Sequence, residues 1–132
     1  MAQEPIVKDV KTNRIIHMEK GQTAHEAACL MREKNISSVI VLDKNTIAGI
    51  ITERDIVHKI VCPDLNPHQT LLETIMSKPV HTVDVNQTII EAARKMRELK
   101  IKKLVVTEGQ EVKGIISERD ILEVDPALHT NH

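Results

Sequence analysis

The strongest constraint on this chain is that it contains one unit twice, at a fixed offset. Gly49-Ile50-Ile51-Thr52-Glu53-Arg54-Asp55-Ile56 returns as Gly114-Ile115-Ile116-Ser117-Glu118-Arg119-Asp120-Ile121, 65 residues later (114 − 49). The same offset carries Gln22-Thr23 onto Gln87-Thr88, Glu26-Ala27-Ala28 onto Glu91-Ala92-Ala93, and Met31-Arg32-Glu33 onto Met96-Arg97-Glu98. No gap is needed from about residue 6 onward. Self-similarity at a fixed period means one supersecondary unit used repeatedly. The 132 residues hold two such units. Half of the chain is near the lower size limit for a self-sufficient core, so the halves are expected to pack on each other.

Each copy carries the same sequence of signals. A short apolar lead-in, Ile6 to Val10 or Leu71 to Ile75, has room for one or two helical turns. Thr12 to Ile16 and Ser77 to His81 follow as irregular segments, Pro79 restricting the residue before it, and lead into short strands around His17-Met18 and Thr82-Val83. Thr23 with Glu26, and Thr88 with Glu91, form the Thr-x-x-Glu capping signature of a helix start. Ala24, Ala27, Ala28 and Met31 share one face of the first helix, as do Ile89, Ala92, Ala93 and Met96 of the second. These helices should end near Asn35 and Lys100. Ser38 to Leu42 and Ile47 to Ile51 flank the turn residues Asp43-Lys44-Asn45; Leu104 to Thr107 and Val112 to Ile116 flank Glu108-Gly109-Gln110. Both read as hairpins, and their continuous Val/Ile runs as strands buried on both faces. A second helix follows each hairpin. The fold class is α+β, with two β-α-β-β-α motifs as a pseudo-symmetric pair. The linker Cys62 to His68 separates them, and the tail from Asp125 to His132 should fray.

Composition narrows the function. The chain has no Phe, Trp or Tyr. Its core must be aliphatic, and a planar ligand would lie between aliphatic side chains. A formal net charge of −1 gives no whole-molecule reason to bind nucleic acid or membrane. The apolar runs are too short to cross a bilayer, and Met1 to Pro5 lacks the pattern of a signal peptide, so a cytoplasmic protein is expected. Cys29 and Cys62 fall opposite Arg94 and Ala127 in the repeat and have no metal spacing; they read as free thiols. The histidines, among them His129 and His132, show no repeated metal spacing either, and no metal is expected. Neither a nucleophile elbow nor a phosphate-loop motif occurs, so the chain is not expected to be an enzyme.

The doubled Thr/Ser-x-x-Asp stretch is first of all helix-start grammar: a hydroxyl at the cap and an acid three residues later. Three features ask for more. Gly49 and Gly114 lie inside strands, where glycine permits close approach. Arg54 and Arg119 add a cation beside a helix start. The eight residues are nearly unchanged between copies whose surfaces have diverged.

The repeat resembles a pair of CBS domains, the module named after cystathionine β-synthase and also called a Bateman module. The Gly-Ile-Ile-Thr/Ser-x-x-Asp stretches look like that family's adenosine-binding motif. The element order, with the leads Thr12 to Ile16 and Ser77 to His81, is similar too. The resemblance places a first domain at residues 8–66 and a second at 73–130, and leaves no segment for an attached catalytic domain. It implies a non-enzymatic regulatory module with two clefts between the paired motifs, each open to an adenosine nucleotide such as AMP, ADP or ATP. No cofactor is required; the nucleotide is the regulatory ligand. Asp55 and Asp120 would accept from the ribose diol, and Thr52 and Ser117 would touch ribose or phosphate. Ile15, Ile16, Val80 and His81 would border the adenine. Thr12, Ser38, Ser77 and Pro79 complete the implied lining. Lys78, Lys103 and Arg119 are expected to give the second copy more cations for phosphate than Arg14 and Arg54 give the first. A homodimer formed through helices, and a regulated protein partner, go with the family. The alternative is an RNA-binding protein that uses the basic ridge Lys95, Arg97, Lys100, Lys102 and Lys103, although no aromatic ring is available to stack a base.

Overall fold

The structure, a computed structural model, describes residues 4–13 and 15–128. Arg14, His129 and His132 lie outside the described residues, as does the end of the tail. The elements run α1 (Val7–Val10), β1 (His17–Glu19), α2 (Ala24–Lys34), β2 (Ser38–Asp43), β3 (Thr46–Thr52), α3 (Glu53–Ile56), α4 (Leu72–Ile75), β4 (Thr82–Asp84), α5 (Ile89–Leu99), β5 (Lys103–Glu108), β6 (Glu111–Ser117) and α6 (Glu118–Val124). After α3 the chain continues in a π-helical stretch, Val57–Val61. Bonds from Cys62 N–H to the Val57 carbonyl and from Leu65 N–H to the Ile60 carbonyl, both 2.9 Å, give it the five-residue spacing. α6 has no such stretch.

Local chemistry explains the element ends. Thr88 Oγ1 accepts from Glu91 N–H at 3.1 Å, and Glu91 Oε1 accepts from Thr88 N–H at 3.0 Å, closing a full capping box. In α2 Thr23 Oγ1 caps Glu26 N–H at 3.2 Å, while Gln22 Nε2 donates to the Glu26 carboxylate at 2.8 Å. Asn35 and Lys100 end the two long helices in the left-handed conformation, at φ 53° and 57°. The first hairpin turns on Lys44 and Asn45, both at positive φ (50° and 68°), and the second on Gly109 at φ 63°. Two-residue turns with positive φ match the twist of the strands that they join.

Each copy forms a three-stranded sheet, β1-β2-β3 or β4-β5-β6, with the first pair parallel and the second antiparallel. Ser38 to Val41 of β2 and Leu104 to Val106 of β5 are buried, as the apolar runs require. Val39, Val41, Ile51 and Leu72 anchor one core; Met96, Val106, Ile116 and Ile121 anchor the other. Burial of each such side chain contributes about 1.5–3 kcal/mol. Ala24, Ala27 and Met31 of α2, and Ile89, Ala92, Ala93 and Met96 of α5, are core residues. These helix faces are therefore packed inside each unit.

The compact units are out of step with the sequence repeats. One unit is Ile16–Val80; the other joins the residues up to Ile15 with those from His81 onward. The cause is visible at the sheet edges. Ser77 bridges Ile50 of β3, with N–H···O distances of 2.9 and 3.1 Å. Thr12 likewise bridges Ile115 of β6, at 2.9 and 3.3 Å. Each lead-in thus finishes the sheet of the other copy. Val7 accordingly belongs to the core of β4-β5-β6, and Leu72 and Ile75 to that of β1-β2-β3.

Candidate functional site

Each sheet delivers its doubled motif through the same device. Val41 pairs with Gly49 and Leu42 with Ile47, so Ala48 is an extra residue in β3; Lys113 is the extra residue in β6. A bulge bends a strand and strengthens its twist. Next to it, the glycine meets the lead-in. A Cβ on Gly114 would fall 2.1 Å from the Thr12 carbonyl oxygen, and one on Gly49 2.6 Å from Met76 Sδ. The close approach expected of these glycines is therefore made by the chain's own lead-in segment.

At the end of β3, Thr52 caps α3. Thr52 Oγ1 accepts from Asp55 N–H at 3.2 Å, and Asp55 Oδ2 accepts from Thr52 N–H at 2.9 Å and Thr52 Oγ1 at 3.1 Å. Asp55 Oδ1 accepts from Ser77 Oγ at 2.8 Å and faces Lys59 Nζ at 3.0 Å. Lys59 Nζ also donates to the Ile75 carbonyl at 2.9 Å. Asp55 is 4% exposed, and with Ser38 it makes up the buried polar residues among those described. Ser38 pairs across the strands with Thr52. Arg54 is exposed, as are Lys78 and Pro79, whose shared peptide is cis.

At the end of β6 the same cap forms: Ser117 Oγ accepts from Asp120 N–H at 3.1 Å, and Asp120 Oδ2 accepts from Ser117 N–H at 2.8 Å. Here the likeness stops. Among the described residues no donor reaches Asp120 Oδ1. The residue matching Lys59 is Val124, whose side chain cannot donate. Lys103 pairs in register with Ser117, where Ser38 stands in the other copy. Arg119 is exposed and 3.8 Å from Glu123.

Several expectations are redistributed. Ser77, Lys78, Pro79 and Val80 fall in the unit of Asp55, while Thr12 and Ile15 fall in the unit of Asp120. Lys78 was expected to add its charge to Arg119 and Lys103; it lies in the Asp55 unit, because the Ser77 bridge ties its segment to β3. The carbonyls of Ile16 and His81 accept from Ile40 and Val105 N–H, at 2.9 and 3.0 Å, and are committed to the sheets. In the basic ridge, Lys95 Nζ donates to the Thr82 carbonyl, and Lys100 serves as the cap of α5. Lys59 was missed. Its signal was present: it stands four residues after Asp55, one helical turn on, opposite an apolar residue in the repeat. Among the described residues no group of three metal-ligating side chains assembles, and no helix is long and apolar enough to cross a membrane.

Two β-α-β-β-α units, each ending its hairpin in a capped aspartate, define a tandem α+β repeat module. The family model for the CBS domain matches residues 7–62 and 72–127. The chain belongs to the CBS-domain family and carries two CBS domains in tandem. It is 38% identical over 124 residues to an uncharacterised protein of Methanopyrus kandleri, covering 92% of this chain and 63% of that one. A Methanocaldococcus jannaschii relative, 30% identical, is longer still, and the chain spans 33% of its length. Among solved structures, an uncharacterised conserved protein of Pyrococcus horikoshii superposes with TM-score 0.83 at 30% identity, over 94% of both chains. A candidate signal-transduction protein with CBS domains from Burkholderia ambifaria gives 0.82 at 31%, over 92% of this chain and 91% of that one. A hexameric CBS-CP12 protein from bloom-forming cyanobacteria gives 0.86 at 27%, over 93% and 73%.

Proposed function

We propose that the chain is a cytoplasmic regulatory module that binds an adenosine-containing nucleotide and signals through altered contacts with a partner protein. The observation that carries this reading is the Asp120 carboxylate: one oxygen is held by the Ser117 cap, and the other has no donor among the described residues. Two neighbouring ribose hydroxyls are donors of the kind that such a carboxylate accepts. Lys103, in register with Ser117, supplies a cation for phosphate. No resident cofactor is needed; the nucleotide is the signal, and it acts by favouring one conformation of the module over another. A homodimer goes with this reading. Val57, Val61 and Leu65 are 55%, 67% and 45% exposed, apolar side chains suited to a second copy.

The absence of Trp and Tyr supplies the test. Protein freed of nucleic acid should be nearly transparent at 280 nm. An adenine band, with a nucleotide released on denaturation and identified by mass, supports the reading. If titration calorimetry across adenosine compounds then shows no heat with any of them, the reading fails.

A further inference from the structure

The two aspartates are alike in sequence and unlike in occupancy. A carboxylate offers about four lone-pair sites. At Asp55 all four are taken: Thr52 N–H and Oγ1 on Oδ2, Ser77 Oγ and Lys59 Nζ on Oδ1. Lys59 is itself fixed, bonded to the Ile75 carbonyl at 2.9 Å and 3.5 Å from Ser77 Oγ. The lysine thus fastens the π-helical stretch to the exit of α4, with Asp55 as the shared acceptor. Val124, 48% exposed, offers nothing comparable to Asp120.

We propose that Lys59 reserves the Asp55 carboxylate for the protein itself, so that one adenosine ligand binds per chain, at Asp120. This rests on the nucleotide reading above and adds the residue that makes the two motifs unequal. A ribose arriving at Asp55 must displace an ammonium and a hydroxyl that already fill the positions of its own two donors. The ammonium–carboxylate contact is charge-assisted, but the Lys59 side chain is 41% exposed and partly screened. Displacing the ammonium and the Ser77 hydroxyl together should take ribose binding at Asp55 out of the range in which Asp120 is titrated. The chain therefore keeps two copies of the motif and uses one as an internal fastening.

The experiment is calorimetric titration of the full chain with AMP and ATP. Wild type should bind one equivalent, and Asp120→Asn should lose it. Lys59→Val, which installs the residue of the other copy, should add a second equivalent. Val124→Lys should weaken the first about tenfold by carrying the clamp across. Far-ultraviolet circular dichroism checks the fold of each variant; Lys59→Met, which keeps the length of the stem, replaces Lys59→Val where helical signal is lost. Two equal sites in wild type, or one site retained in both Lys59 variants, would overturn the clamp and leave the nucleotide reading standing. No heat in wild type and in either Lys59 variant would overturn both.

Discussion

Replacement of Gly114 by alanine should be considerably more costly than the same change at Gly49, although the two glycines occupy equivalent positions. An alanine Cβ at 114 would sit 2.1 Å from the Thr12 carbonyl oxygen, 3.1 Å from Lys11 Cδ and 3.2 Å from the Thr12 carbonyl carbon. Real Cβ contacts essentially never fall below 3.0 Å, so the Thr12 backbone must retreat by at least 0.9 Å (3.0 − 2.1). That oxygen accepts from Ile115 N–H at 3.3 Å, and Thr12 N–H donates to the Ile115 carbonyl at 2.9 Å. Loss of both bonds costs about 1–3 kcal/mol. The lower backbone entropy of unfolded alanine returns about 0.4–1 kcal/mol. The net destabilisation is about 1–2 kcal/mol, a drop in melting temperature on the order of 10 °C for a unit of this size. At Gly49 the clashing atoms are Sδ, Cγ and Cβ of Met76, at 2.6, 2.7 and 2.9 Å. That side chain is half-buried and unbranched, so Sδ and Cγ can swing aside, and only the 0.1 Å shortfall at Cβ (3.0 − 2.9) falls on the backbone beside the Ser77 bridge. Its cost should stay below about 1 kcal/mol. With no Trp or Tyr, intrinsic fluorescence is silent, so thermal unfolding is followed by circular dichroism at 222 nm. Equal losses at the two glycines, or a neutral Gly114→Ala, would refute the assignment of Gly114 to close backbone approach.

Gly109→Ala isolates a different cost: nothing lies within 4 Å of its added Cβ, and φ is +63°. Only backbone strain is incurred, about 1 kcal/mol by the same assay, and Gly109→Asn should restore most of it. The Glu91 carboxyl is held below its ordinary value of 4.5, first by the Thr88 backbone N–H and then by the Thr88 hydroxyl. A lowered folded value adds stability above the ordinary value, and that stability disappears as pH falls through the folded one. The stability gap between wild type and Glu91→Gln, measured by urea titration, should be open at neutral pH and should narrow from about pH 4.5 downward. A gap independent of pH would dismiss the capping role. Val61→Glu should convert a dimer to a monomer in size-exclusion chromatography with light scattering and leave the unfolding temperature almost unchanged, because Val61 is 67% exposed. Wild type that is already a monomer would remove these exposed apolar side chains as an interface.

Much of the fold was legible because each local signal has a local cause. Thr23 and Thr88 announce helix starts, Asn35 and Lys100 tolerate the left-handed ends, and the Ser38 to Leu42 run marks a strand covered on both faces. The motif was legible because it was doubled. What escaped is non-local. Nothing in Thr12 or Ser77 states which sheet edge it will bridge, since a single pair of backbone bonds leaves no periodicity; the cations were therefore grouped by repeat and not by unit. The π-helical stretch also escaped, because Val57 to Val61 reads equally well as an α-helix. Lys59 escaped with it, because it stands opposite Val124 and so lies outside what the two copies share.

The exchange of lead-ins has a consequence for how the chain can be cut. The repeat in the sequence and the self-contained body in space are out of phase by one short segment. Residues 16–80 form a continuous piece that holds a whole sheet, its core and its own edge bridge. Residues 8–66, cut to the repeat in the sequence, would leave β3 without Ser77 and carry an orphaned Thr12. A gene trimmed at the period boundary should yield a fragment with an open sheet edge; one trimmed at Ile16 and Val80 should yield a complete body. The segment from His81 onward would become its equal by circular permutation, with the first residues of the chain moved to follow its last.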